Sequence, residues 1–130
     1  FYLTIKMQDV KTREDLHLIM RSFYVKLLND PEINFIFTHV AKIDLEPHLL
    51  DLVDFWEQML FNKGDYKKNV LQIHLDINSK LNFTQQHFTI WLKYFNLSID
   101  ENFSGLNAEN MKTRALSIAT VMQIKILKKE

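Results

Sequence analysis

The chain contains no cysteine, and its 130 residues include only two glycines and two prolines. Without cysteine there is no thiol nucleophile and no zinc knuckle. The lack also fits a reducing compartment. So little glycine and proline leaves few tight turns, which disfavours a hairpin-rich sheet. Neither sign of charge is in excess: 16 basic residues face 16 acidic ones, for a formal net charge of zero. No basic stripe is present, so nucleic acid is not an expected partner. The cluster Lys128-Lys129-Glu130 reads as a polar tail. Every apolar run falls short of the ~20 residues that cross a bilayer, so no membrane partner is expected. No charged-then-apolar leader opens the chain, and a cytoplasmic location follows as an expectation. On that expectation, the Asn-x-Ser/Thr triplets at Asn82, Asn96 and Asn102 are coincidences.

The aromatic content is high, with ten Phe, four Tyr and two Trp, and five Met accompany them. A chain of this length fits one domain, since single cores usually run to ~100–200 residues. It can bury roughly two thirds of its unfolded surface without disulfides. No repeat, low-complexity tract or linker divides it, so a single domain over 1–130 is expected.

Periodicity then predicts helices. Thr12, with Asp15 three residues on, has the form of a capping box, and Leu16, Ile19, Met20, Phe23 and Leu27 follow at helical spacing. Tyr24 belongs to the same face. Pro31 suits the first turn of a short helix holding Ile33, Ile36 and Phe37. Pro47 is expected to start the next helix, with a stripe of Leu52, Phe55, Trp56, Met59 and Leu60, and Gly64 to end it. His48 lies four before Leu52 and seven before Phe55, so it faces the same way. Thr84 is placed to cap a helix in which Phe88, Trp91, Leu92 and Phe95 share a face. Ser98 to Gly105 reads as a connection. A last helix from about Asn107 carries Met111, Ala115, Ile118, Ala119, Met122 and Ile126. No segment alternates convincingly as a strand. The fold class is all-α, with five or six helices.

Two histidines on apolar surfaces carry the chemical signal. His74 stands in Val70-Leu71-Gln72-Ile73-His74-Leu75-Asp76-Ile77, and His48 heads the stripe just described. A core histidine satisfied by backbone is the commoner state of such a residue. The functional alternative is an axial ligand to a buried haem iron, with Leu71, Leu75 and Ile77 as apolar walls for the porphyrin. With no cysteine, the haem cannot be covalently anchored in the c-type manner. Tyr24 and Trp91 each put a polar atom on a core-facing surface. Both are consistent with buried aromatics that bond a backbone carbonyl. Together with His48 they also make three donors on three helices, a set that suits a bound diatomic ligand with partial negative charge. Glu14-Asp15-Leu16-His17 has the Glu-x-x-His form of di-iron bundles, but a second copy is missing. No His-Glu-x-x-His, phosphate loop or Gly-x-Ser-x-Gly is present. His39 and His87 read as surface or loop residues, and His17 as lying on the polar side of the first helix.

These pieces resemble one family. Ser22-Phe23-Tyr24, Ile36-Phe37, His48 seven residues ahead of Phe55-Trp56, Gly64-Asp65-Tyr66, His74-Leu75 and the run Phe88 to Phe95 occur in the order and spacing of the truncated haemoglobins of the third, or P, group. The resemblance covers nearly the whole chain. The glycine-glycine turns of the other truncated groups are missing, as that group would have it. It implies a two-over-two helical sandwich around haem b, with His74 as the proximal iron ligand. It implies distal polar roles for Tyr24, Trp91 and His48, and places Phe23, Phe37, Leu52, Phe55, Tyr66 and Leu71 with them in the cofactor-binding set. Leu45 stands where the group often has tryptophan, and Lys68 where a small residue is usual. Lys67 and Lys68 are within sequence reach of a haem propionate.

The expected function is reversible binding of oxygen and other diatomic ligands such as nitric oxide. Nitric oxide detoxification or peroxide chemistry would be an extension that needs a reductase from elsewhere. A haem-based ligand sensor and a haem-free helical interaction domain are the alternatives. A monomer is expected.

Overall fold

The structure is a computed structural model that describes residues 7–36, 44–63 and 84–127. Among these, four helices carry the fold: α1 (Arg13–Leu28), α2 (Leu45–Phe61), α3 (Gln85–Asp100) and α4 (Leu106–Leu127). No strand is present among the described residues. Two helix pairs lie one over the other. The first pair is α1 with α2, the second α3 with α4, and α1 on α3 and α2 on α4 join the layers. This is the two-over-two sandwich that the family resemblance implied.

Each helix begins for a visible reason. Thr12 Oγ1 accepts from Asp15 N at 3.1 Å, and the Asp15 carboxylate accepts from Thr12 N at 3.1 Å, a complete capping box. Thr84 repeats the device on α3, with His87 in the place usually held by Glu or Gln. His87 therefore lies in the first turn of α3, half-buried, and not in a loop. Its ring also reaches the Glu32 carbonyl at 3.1 Å.

Helix α2 starts at Leu45, two residues before Pro47, which sits in the first turn where a missing N–H costs nothing. It ends at Asn62, which takes a left-handed φ of 56°, two residues before the Gly64 expected to end it. Asparagine tolerates that region better than other residues with a side chain. From Pro31 the chain turns and is helical over 34–36, where this described segment ends, with Ile33 and Ile36 buried as expected. Met59 is exposed, and Leu49 and Val53 take up the buried face of α2 instead. Ser98 belongs to α3, which runs through Asp100 and so takes in the first three residues of the predicted connection.

The start of α4 is capped from far along the chain. Asp9 accepts from Asn107 N at 2.8 Å and from Ala108 N at 2.9 Å, 98 and 99 residues away. Asn107 Nδ2 donates to the Val10 carbonyl at 2.7 Å, and Ser104 N donates to the Gln8 carbonyl at 3.0 Å. Gly105 makes the approach possible. Its φ is +148°, and a Cβ there would stand 2.5 Å from Asp9 Cγ. Burial alone would raise the Asp9 pKa, but the backbone N–H groups of Asn107, Ala108 and Val10 outweigh it and hold the carboxyl below its ordinary value. Behind this latch, Ala108, Met111, Ala115, Ala119 and Met122 form the buried face of α4.

Candidate functional site

Phe23 and Tyr24 lie side by side near the C-terminal end of α1, both on its buried face. Their rings meet edge to face at 5.3 Å. Beyond Phe23, Trp91 and Phe95 of α3 approach edge-on at 5.6 and 5.3 Å and stack on each other at 5.7 Å. Trp56 of α2 reaches Phe95 at 5.4 Å, and Phe55 packs on Trp56 at 5.1 Å. One continuous aromatic cluster thus ties three helices. Such pairs contribute about 0.5–1.5 kcal/mol each beyond their burial and hold ring positions firmly.

The polar end of this cluster is a pair. Tyr24 Oη lies 2.6 Å from His48 Nε2, with the two rings edge to face at 5.0 Å. Tyr24 is buried and His48 half-buried, so the bond joins the interior to a more open margin of α2. Helical spacing puts each ring on its helix's inner face, Tyr24 eight residues after Leu16 on α1 and His48 four before Leu52 on α2, and the packing of α1 on α2 brings them together. Burial pushes the Tyr24 phenol far above its ordinary pKa. The hydroxyl therefore keeps its proton at any physiological pH and remains a donor.

Tyr24, Leu52, Phe55 and Trp91 also border an apolar cavity. Its further wall is formed by Met20, Trp56, Phe95 and Ile118. The structure thus brings together Phe23, Tyr24, Leu52, Phe55 and Trp91, with His48 bonded to Tyr24. Phe37, Tyr66, Leu71 and His74 lie outside the described residues. No cluster of three or more His, Cys, Asp or Glu side chains is present among the described residues. A haem iron held by one imidazole needs none.

The donor set fits that group. An apolar, largely aromatic wall with one neutral phenol and one imidazole at its margin is the environment a flat porphyrin and a weakly charged diatomic ligand require. Sequence reasoning placed Met20, Trp56, Phe95 and Ile118 on core faces but not around a cavity. Helical spacing marks which residues point inward; it does not tell a cavity wall from a filled core.

No family model matches the chain. It is 30% identical over 114 residues to the protein described as Group 3 truncated hemoglobin ctb of Campylobacter jejuni, covering 85% of this chain and 87% of that one. It is also similar to the crystal structure of the group III truncated hemoglobin from Campylobacter jejuni, with a TM-score of 0.80 and 28% identity over 93% of this chain and 95% of that one.

Proposed function

The chain belongs to the group 3 truncated haemoglobins, and from that membership we propose that it is a single-domain haem protein that reversibly binds oxygen and other diatomic ligands. The observation that carries this reading is the Tyr24–His48 bond of 2.6 Å at the margin of the aromatic wall. Haem b, when bound, supplies an iron that takes up diatomic ligands reversibly. His74 would hold the iron. Phe23, Phe37, Leu52, Phe55, Tyr66 and Leu71 would complete the apolar setting of the porphyrin.

The remaining chemistry belongs to three side chains. Tyr24 is the principal donor. Its phenol is neutral, its ring is fixed by Phe23, and its proton is shared with His48 until a better acceptor arrives. His48 takes the second part. Half-buried in the first turn of α2, it is bonded to Tyr24 and would turn to water or to the ligand when Tyr24 changes partner. Trp91 is the third donor, positioned by its stack on Phe95. A hydrogen bond to a charged acceptor stabilises by roughly 1.5–3 kcal/mol. Two or three such bonds would slow ligand release by orders of magnitude, which suits capture or turnover of a reactive ligand better than delivery. Nitric oxide detoxification and peroxide reduction fit that kinetic profile, with electrons from a separate reductase. A cytoplasmic monomer fits the same role. No helix among the described residues is long and apolar enough to cross a membrane.

Haem titration tests the reading. Purified protein should take up one haem and develop an intense Soret band, which His74→Ala abolishes or shifts strongly. Protein that stays colourless with excess haem would overturn it.

A further inference from the structure

We propose that the groove between the last turn of α2 and the first half of α4 is a binding site for a small hydroxylated carboxylate. The groove measures about 450 Å³, in the size range of small-molecule sites. Met59 and Leu60 form its α2 wall, and Asn110, Thr113, Arg114 and Ser117 its α4 wall. Those four fall at helical spacing and share one face of α4. The groove accounts for the exposure of Met59. By spacing that residue belongs to the apolar stripe of α2, but α4 presents polar side chains opposite it and the helices leave a gap. The site lies at the other end of α2 from His48, and it does not depend on the haem reading.

Charge selects a carboxylate. The chain has three arginines. Arg13 is held by Asp54 and Glu57 at 2.8 and 3.0 Å, and Arg21 by Glu46 at 2.8 Å. Arg114 forms no ion pair among the described residues. Arg13 draws Asp54 and Glu57 of α2 to itself, and Lys112 takes Glu109, the one acid of α4, at 2.7 Å. Among the described residues no acid lines the groove. What faces it is a single planar cation whose forked N–H donors grip a carboxylate by two parallel bonds. A phosphate dianion calls for a second cation or a helix N-terminus, and neither is in the lining.

Hydroxyls select the rest of the ligand. Thr89 and Thr120 turn theirs back onto helix carbonyls at 3.1 and 2.8 Å. Thr113 and Ser117 make no such bond among the described residues, and with the Asn110 amide they offer the groove both donors and acceptors. A plain fatty acid leaves those groups unmatched. Alcohol groups on the ligand pair with them, while its carbon chain lies against Met59 and Leu60.

Gluconate tests the site, titrated into the purified protein while the methyl resonances of Met59 and Thr113 and the Arg114 Nε–H are followed by NMR. All three should shift together and saturate. Arg114→Gln should weaken binding about tenfold or more, the loss of a charge-assisted pair. Arg21→Gln removes the same charge from α1 and should bind gluconate like wild type. Both arginines are exposed, so circular dichroism should show both variants folded. Ser117→Ala, a milder change, should weaken gluconate but not hexanoate. Hexanoate has the same chain length without hydroxyls, and glucose lacks the charge; each should bind about tenfold more weakly than gluconate or worse. Shifts that are absent or do not saturate would overturn the site, as would gluconate binding retained in Arg114→Gln. Hexanoate that matches gluconate, or inorganic phosphate that binds more tightly, would overturn the hydroxycarboxylate as its ligand.

Discussion

Two polar clusters in this molecule use the same kinds of atoms in opposite ways. Asp9 accepts three backbone N–H bonds, and the segment around it adds two more to the start of α4. Backbone donors cannot turn away, and a residue with a side chain does not fit at Gly105. Tyr24 and His48 join α1 to α2 through one short side-chain bond. Both rings can exchange that partner for another. The latch over-determines its geometry and so fixes the fold. The pair leaves one replaceable bond in a rigid aromatic frame, which is what a binding site needs.

This contrast can be broken by experiment. Gly105→Ala should have the largest effect on stability. A side chain at φ +148° is strained, and its Cβ would strike Asp9. The two faults together should cost roughly 2–4 kcal/mol and lower the melting temperature sharply. Asp9→Ala leaves α4 without its cap and should cost about 1–2 kcal/mol. Neither change should alter ligand release from the haem-loaded protein. A tenfold faster release in Asp9→Ala, measured by stopped flow, would end the separation of latch from pair.

A third contact sharpens the comparison at lower amplitude. Tyr94 Oη donates to Asp30 at 2.6 Å, tying α3 to the turn after α1. That bond, helped by the Glu32 backbone N–H, holds the Asp30 carboxyl below its ordinary value. A depressed carboxylate stabilises the fold above its unfolded pKa of about 3.9. The contribution is lost as pH falls through the lower folded value. Tyr94→Phe should therefore be less stable than wild type near neutrality, by about 1 kcal/mol or less, and converge with it in acid. A stability gap unchanged in acid would mean that the hydroxyl acts otherwise than through its bond to the charged carboxylate.

Much of this was legible in the sequence, and the rest was not for physical reasons. Helices and their buried faces follow from spacing, and Thr12-x-x-Asp15 announced its own capping box. Tyr24 and His48 were both placed on core faces by counting residues. Their direct bond was not readable, because spacing along two helices does not fix how those helices cross. The Asp9 cap was invisible for a similar reason: its donors lie 98 and 99 residues away. Asn62 ended α2 ahead of Gly64 because a left-handed residue is chosen by where the core stops. His87 read as a surface or loop residue because histidine is an uncommon partner in a capping box. The family resemblance supplied what residue patterns left open, namely which histidine would hold iron and which would face the ligand.

The most direct test is the oxygen dissociation rate of the ferrous, haem-loaded protein, compared between wild type and Tyr24→Phe. Loss of a bond to a charged acceptor is worth roughly 1.5–3 kcal/mol, so release should quicken by about ten- to a hundredfold. The melting temperature should move little, since His48 at its open margin can bond water instead. An unchanged rate, or a rise in rate explained wholly by unfolding, would contradict the account.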